Sequence, residues 1–222
     1  MSTAQADFQN KQSFAYRARR ARLAHLMAVI DGAEKSAAKP LRILDVGGTD
    51  TFWKMMDLAD RDDLDFTVIN IYPAQEPDER FRWIVGDARD LSQFGDGEFD
   101  LAFSNSVIEH VGGAADQLRM ANEIRRVGVR YFVQTPNRYF PIEPHFLFPG
   151  FQFLPERTKV FLLKRFQLGW FPKAKTDEEA IGYAREIQLL NRREFAGMFP
   201  DAKLIDERVA GLVKSFMAVR DK

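Results

Sequence analysis

Two groups of residues in this sequence have the types and spacing to do chemistry. The first is the run Ile43-Leu44-Asp45-Val46-Gly47-Gly48-Thr49-Asp50. An apolar strand that empties into a glycine turn and then a helix holds its ligand at the carboxyl end of the strand. Glycine accepts positive φ and lets backbone approach a ligand closely. A dinucleotide asks for G-x-G-x-x-G, with its pyrophosphate on the helix N-terminus. That spacing is absent here, and a carboxylate at Asp45 would repel phosphate. A ligand with an ammonium group and no phosphate fits better, because a carboxylate accepts a charge-assisted hydrogen bond from it. This chemistry requires Asp45 to face the ligand and not the core. Taken by itself, the stretch also fits an ordinary β–α turn with a capping aspartate.

The second group comes from the three histidines. His145 ends Thr135-Pro136-Asn137-Arg138-Tyr139-Phe140-Pro141-Ile142-Glu143-Pro144-His145, directly after a predicted strand. Glu143 and His145 flank Pro144, which stiffens the loop and holds both at low entropic cost. His145 is the first candidate for a general base or acceptor-binding group, with Glu143 behind it. His110 follows another strand and is a candidate catalytic or acceptor-positioning residue. The plainer roles are a rigid loop that satisfies buried backbone groups, and a helix cap at His110. His25 reads as a surface or packing residue, and no metal site is expected.

A scaffold must bring these groups together. The pattern predicts a helix over Ser13–Ile30 ended by Asp31-Gly32, with Arg17, Arg19, Arg20 and Arg22 on a solvated face. Strands follow at Leu41–Val46, Asp65–Ile71, Phe81–Val85, Phe99–Ser104 and Val129–Gln134, with helices at Thr51–Leu58 and Ala114–Val127. This βαβ rhythm implies a mostly parallel sheet covered on both faces. Pro136 to Pro172 breaks the rhythm with six of the ten prolines and eight of the twenty phenylalanines. It reads as an insertion over the sheet edge with a helix near Glu156–Phe166. Helices return at Thr176–Leu189 and Arg192–Met198. Strands Ala202–Glu207 and Lys214–Arg220 then close the chain as an antiparallel hairpin around Gly211. Lys214-Ser215 reads as an exposed strand end.

Three further strand ends carry polar residues in order. Asn70 and Ile71 end the second, Asp87 and Ala88 follow the third, and Ser104 and Asn105 end the fourth ahead of Ser106-Val107-Ile108-Glu109-His110-Val111. Together with the glycine turn, these segments resemble the successive motifs of the class I S-adenosylmethionine (SAM) dependent methyltransferases, in particular the methyltransferase type 11 group. The resemblance is strong over residues 41–135 and loose beyond. It implies a Rossmann-like three-layer α/β sandwich with a mostly parallel seven-stranded sheet and an antiparallel final strand. It implies SAM as cofactor, with Asp45, Gly47, Gly48 and Thr49 at the methionine part and Asn70 on the ribose. It places Ile71 and Asp87-Ala88 beside the adenine, and Ser104 and Asn105 at the fourth strand end. The family commonly has glycine where Thr49 and Thr51 stand, and an acidic residue where Asn70 stands. The neutral acceptor costs about 1 kcal/mol, or roughly fivefold in affinity.

The chain has 222 residues, 45% apolar and 29% charged, which suits one domain burying a single core. The expected division is residues 1–40 as an N-terminal helical extension and 136–175 as an inserted lid. Basic and acidic residues both number 32, so nucleic acid is a disfavoured partner. No cysteine is present, which removes disulfides, thiolate metal sites and a cysteine nucleophile. Residues 1–11 are polar without a signal-peptide stretch, and no run approaches the roughly 18 apolar residues of a membrane span. A soluble, cytoplasmic protein is expected. The aromatic and basic segment 146–171 suits a lid with its own core, an apolar acceptor channel or a peripheral membrane contact. A small-molecule, sugar or lipid-linked acceptor for O- or N-methylation is the leading function. A methyltransferase-fold binding protein that lost the reaction is the alternative, motivated by Thr49, Thr51 and Asn70. An NAD-type oxidoreductase is disfavoured by the phosphate argument, and nothing in the sequence sets the oligomeric state.

Overall fold

A computed structural model of the chain describes residues 14–34, 40–76 and 78–222. The readings for residues 1–13 and the side chains of Arg17 and Arg19 lie outside what is described. In chain order the elements are α1 (Phe14–Glu34), β1 (Leu41–Val46), α2 (Asp50–Met55), β2 (Leu64–Asn70), β3 (Phe81–Val85), β4 (Phe99–Asn105), α3 (Ala114–Val127) and β5 (Gly128–Pro136). Then come β6 (Ile142–Glu143), β7 (Phe148–Pro149), α4 (Glu156–Arg165), α5 (Asp177–Glu186), α6 (Arg192–Met198), β8 (Lys203–Val209) and β9 (Leu212–Arg220).

Seven strands form one sheet in the order β3-β2-β1-β4-β5-β9-β8. β1 to β5 run parallel, and β9 lies antiparallel between β5 and β8. β1 shows why: four of its six residues are apolar and buried, and they point to both faces, as in a central parallel strand. Leu41 and Ile43 pack with α1 and Trp53 of α2 on one face, while Leu44 and Val46 pack with α3 and α6 on the other. Each fully buried Leu, Ile or Phe contributes about 1.5–3 kcal/mol of transfer free energy to these two layers. The strand order reverses at β1 and β4, and the crevice at their carboxyl ends is where such sheets take ligands.

Several element boundaries differ from expectation for local reasons. α1 runs through Asp31-Gly32 to Glu34, because Ile30 and Ala33 are both buried against the sheet and packing outweighs the glycine. α5 stops at Glu186 and not Leu189. The next residues instead strap the site, with the Gln188 N–H donating to the Glu109 carbonyl at 2.8 Å. The β8–β9 turn uses Ala210 (φ 48°) and Gly211 (φ 82°), a pair of positive φ values that suits a two-residue hairpin. Ser215 is buried and donates to Glu207, so this strand end is not exposed.

The segment 136–175 has its own core. Phe146 stacks on Phe151 and Phe171, with ring centroids 4.0 and 4.5 Å apart, above Leu163. Phe153, Phe161, Phe166 and Trp170 remain exposed on the same segment.

Candidate functional site

The glycine turn is tightly packed. Gly47 has φ +78°, and a Cβ there would sit 2.3 Å from Val107 Cγ1. A Cβ on Gly48 would lie 2.2 Å from Asp45 Oδ1. Both positions therefore need glycine, one for conformation and both for space. Thr49 follows in extended conformation at the start of α2 and makes no side-chain cap. These residues edge a cleft of about 660 Å³ that includes Thr49, Thr51, Asn70, Tyr72 and Trp83.

Asp45 does not face this cleft. Its side chain is 0% exposed and points toward the α1–α2 layer, beneath Gly48. Oδ2 accepts a 2.8 Å hydrogen bond from Trp53 Nε1, and Oδ1 has no partner. Burial pushes its carboxyl up to about 7, with the Trp53 hydrogen bond pulling the other way. The open-charge argument for an ammonium ligand is corrected accordingly, since the charge is sealed under the turn. Trp53, which packs against Phe66 and Phe103, fixes the carboxylate from the core side.

Asn70 also differs from its expected part. Its Nδ2 donates to the carbonyls of Gly47 and Gly48 at 3.0 and 2.9 Å, and its Oδ1 accepts from the Tyr72 N–H at 3.1 Å. An amide can make this clamp, whereas a carboxylate would face two carbonyl oxygens with nothing to donate. Asn70→Asp is thus expected to destabilise the protein by about 2–3 kcal/mol through two lost hydrogen bonds and new repulsion. Thermal melting checks this, and tighter nucleoside binding in the variant would restore the ribose role to this position.

The remaining cofactor candidates are mostly committed to the scaffold. Asp87 is held by Arg89, whose Nη2 approaches Oδ2 to 2.6 Å, and this pairing keeps its carboxyl below the usual range. Ala88 is buried in the α3 layer, and Ile71 is exposed and not among the residues lining the cleft. Ser104 is buried and its Oγ donates to the Val46 carbonyl at 2.9 Å, tying β4 to β1. Asn105 accepts from Arg22 Nη1 at 2.8 Å. Arg22 is therefore no part of a solvated face. Its side chain is only 14% exposed and lies 3.4 Å from Glu207.

Across the crevice, the carboxyl ends of β4 and β5 bring the histidines together. The rings of His110 and His145 meet edge-on with centroids 4.9 Å apart. Glu143 is 1% exposed. Its Oε1 lies 2.7 Å from His145 Nδ1, and its Oε2 accepts from the His145 and Phe146 N–H groups at 2.8 and 2.6 Å. Gly169 (φ +53°) lies so close to the His145 carbonyl that a Cβ would sit 2.1 Å from it, and Trp170 N–H donates to the same carbonyl at 2.9 Å. The Thr-Pro-Asn run anchors the loop: Asn137 N–H and Nδ2 donate to Lys214 and Val213 carbonyls at 2.9 and 2.8 Å.

Glu109 completes this group, and it was not among the sequence candidates. It is fully buried, Oε2 accepts from Thr135 Oγ1 at 3.0 Å, and Oε1 stands 3.9 Å from His145 Nε2 without a hydrogen-bond partner. Burial pushes its carboxyl up to about 7, offset in part by His145. Burial and the charge of His145 push His110 down to about 4. Burial works against charge on His145 as well, yet Glu143, Glu109 and Glu186 together raise its pKa above the ordinary value.

The family model described as a methyltransferase domain matches residues 37–129, from before β1 into the start of β5. Residues 37–129 are thus similar to a methyltransferase domain. An uncharacterized protein of Mycobacterium tuberculosis, in strains CDC 1551 and H37Rv, is 42% identical over 53 residues. That stretch covers 24% of this chain and 18% of that protein, less than a fifth of the relative's length. Among solved structures, a geranyl diphosphate C-methyltransferase from Streptomyces coelicolor superposes with TM-score 0.52 at 14% identity, over 88% of this chain and 74% of that one. It was solved with Mg²⁺, geranyl-S-thiolodiphosphate and S-adenosyl-L-homocysteine. A protein from Rhodobacter sphaeroides described as a Zn-dependent alcohol dehydrogenase also gives TM-score 0.52, at 8% identity over 85% and 86% of the two chains. At these identities the superpositions carry the fold alone. The glycine turn, the clamp at Asn70 and the His110 turn all lie within the matched residues, while Glu143 and His145 lie beyond them.

Proposed function

We propose that the protein binds SAM against the Gly47–Thr51 turn and transfers its methyl group to a small-molecule or lipid-linked acceptor beneath the 136–175 segment. The family match over the turn and the first four strands carries this reading. SAM supplies an already activated methyl group, so the protein's task is alignment and exclusion of water. A cleft of about 660 Å³ has the size of a small-ligand site. Its turn leaves the Thr49 hydroxyl without a cap to make, and Asp45 supports that turn from beneath Gly48. On the acceptor side, Glu143 fixes His145 at Nδ1 and leaves Nε2 facing Glu109. His145 and His110 are proposed to position the acceptor, with Glu143 as the positioning residue behind them.

Isothermal calorimetry of purified protein with S-adenosylhomocysteine tests this. Micromolar-range binding is expected, and no heat at millimolar ligand rejects the reading. A second reading, a binding protein that kept the fold without the reaction, is favoured by Asn70 being spent on the turn. Cofactor binding without methyl transfer to any acceptor in a pool of hydroxyl and amine compounds would favour it. NADH titration separates both from an oxidoreductase. The exposed Phe153, Phe161, Phe166 and Trp170 are proposed as a peripheral membrane contact; no described helix is long and apolar enough to cross a membrane.

A further inference from the structure

Glu109, His110 and His145 each offer one ligand atom, and these atoms lie within 4.8 Å of one another. Their chemistry is a carboxylate and two imidazoles, projected from the ends of two neighbouring strands. Glu109 Oε1 is buried with no hydrogen-bond partner. It stands 3.9 Å from His145 Nε2, too far for a hydrogen bond. Two ligand atoms at about 2.0–2.1 Å from one tetrahedral ion lie about 3.4 Å apart, so side-chain rotation of about an ångström would close the set. The support around the ligands has the form that metal sites use. Glu143 holds His145 at Nδ1, 2.7 Å away, and leaves Nε2 to face Glu109. A carboxylate behind a ligating histidine fixes its orientation and tautomer. Thr135 fixes the other oxygen of Glu109 at 3.0 Å. Glu186 Oε1, 3.8 Å from His110 Nδ1, stands at the rim.

We propose that Glu109, His110 and His145 bind one divalent transition-metal ion of the zinc class, with Glu143 and Thr135 orienting the ligands. Calcium and magnesium prefer oxygen ligands, whereas two imidazoles with a carboxylate suit zinc and its first-row neighbours. Three protein ligands leave a coordination position for an oxygen of the acceptor. This part rests on the proposed methyltransferase function and specifies the acceptor as a hydroxyl compound. The ion lowers the pKa of the bound hydroxyl. The acceptor proton leaves to water, the oxygen forms its bond to the methyl carbon, and the carbon–sulfur pair stays on sulfur. The products are a methyl ether and S-adenosylhomocysteine.

The test titrates metal-free full-length protein with Co²⁺ and Zn²⁺ in the absence of cofactor. Expected are one equivalent of Co²⁺ per chain with visible d–d absorption, and its displacement by Zn²⁺. Glu109→Gln and His145→Asn should each weaken binding about 100-fold or more, and Glu143→Gln about 10-fold. His25→Asn, at an exposed histidine outside the cluster, should leave it unchanged. Should a ligand variant unfold, X-ray absorption of the wild-type Co²⁺ protein decides, with two imidazole nitrogens expected. No saturable binding in the wild type, equal affinity in the folded Glu109 and His145 variants, or a spectrum without histidine ligands overturns the site. S-adenosylhomocysteine calorimetry on the same preparations keeps the two questions apart: intact cofactor binding with no metal binding defeats only the metal site.

Discussion

Asp45→Asn is expected to raise the melting temperature of the ligand-free protein by about 3–6 °C at pH 8, equivalent to about 1–2 kcal/mol. The same change is expected to leave S-adenosylhomocysteine affinity within about twofold, because the carboxylate is sealed beneath Gly48. Both expectations come from one buried carboxylate. Burial raises its pKa to about 7, above the ordinary 3.8, so the native state holds this proton more tightly than the unfolded chain. Native stability therefore falls as pH rises from about 4 through 7, with the full cost present above 7. A shift of about 3 units sets an upper bound near 4 kcal/mol, and relaxation around the variant lowers the realised gain. Asparagine keeps an acceptor for Trp53 and removes the charge. The stability difference between variant and wild type should shrink as pH falls through 7, since the wild-type carboxyl is then neutral too. Melting curves and calorimetry between pH 5.5 and 8 check both halves. A tenfold loss of affinity in Asp45→Asn would return Asp45 to the ligand's contacts.

Much of the scaffold was legible in the sequence because its causes are local. β1 and β4 are mostly apolar with interior residues buried on both faces, the mark of central parallel strands. The glycine turn and the final hairpin around Gly211 announce themselves by residue type. The site was less legible because its contacts cross the sheet. Glu109, between Ile108 and His110, looks like an exposed glutamate until β4 and β5 are placed side by side and Thr135 reaches it. Arg22 shares a basic stretch with Arg19 and Arg20, yet its helix turns it inward onto Asn105. At Asn70 the signal was present and pointed elsewhere. The exchange of an acid for an amide reads as a weakened ribose contact, whereas only a donor can hold the two carbonyls of the glycine turn. Asp45 was singled out by type, but alternation along β1 places it with Leu41 and Ile43, toward α1 and Trp53.

Glu143→Ala is expected to lower stability by about 3–5 kcal/mol and methyl transfer by about 100-fold or more, leaving cofactor affinity unchanged. The stability loss follows from burial: alanine strands the His145 and Phe146 N–H groups and His145 Nδ1. At this chain length about 4 kcal/mol corresponds to a melting-point drop on the order of 10 °C. Unchanged cofactor affinity follows from position, since Glu143 belongs to the loop after β5 and not to the cleft beside Asn70. Glu143→Gln separates loop packing from histidine orientation. Its amide oxygen still accepts from the Phe146 and His145 backbone, so the fold should stay within about 1.5 kcal/mol of wild type. Its amide nitrogen now donates toward Nδ1 and favours the inverted tautomer, in which Nε2 carries the hydrogen and accepts or ligates only after an unfavourable tautomer change. Transfer should therefore collapse in a variant that melts almost normally. Normal turnover in Glu143→Gln would reduce Glu143 to a packing residue of the lid loop and remove His145 from the acceptor site with it.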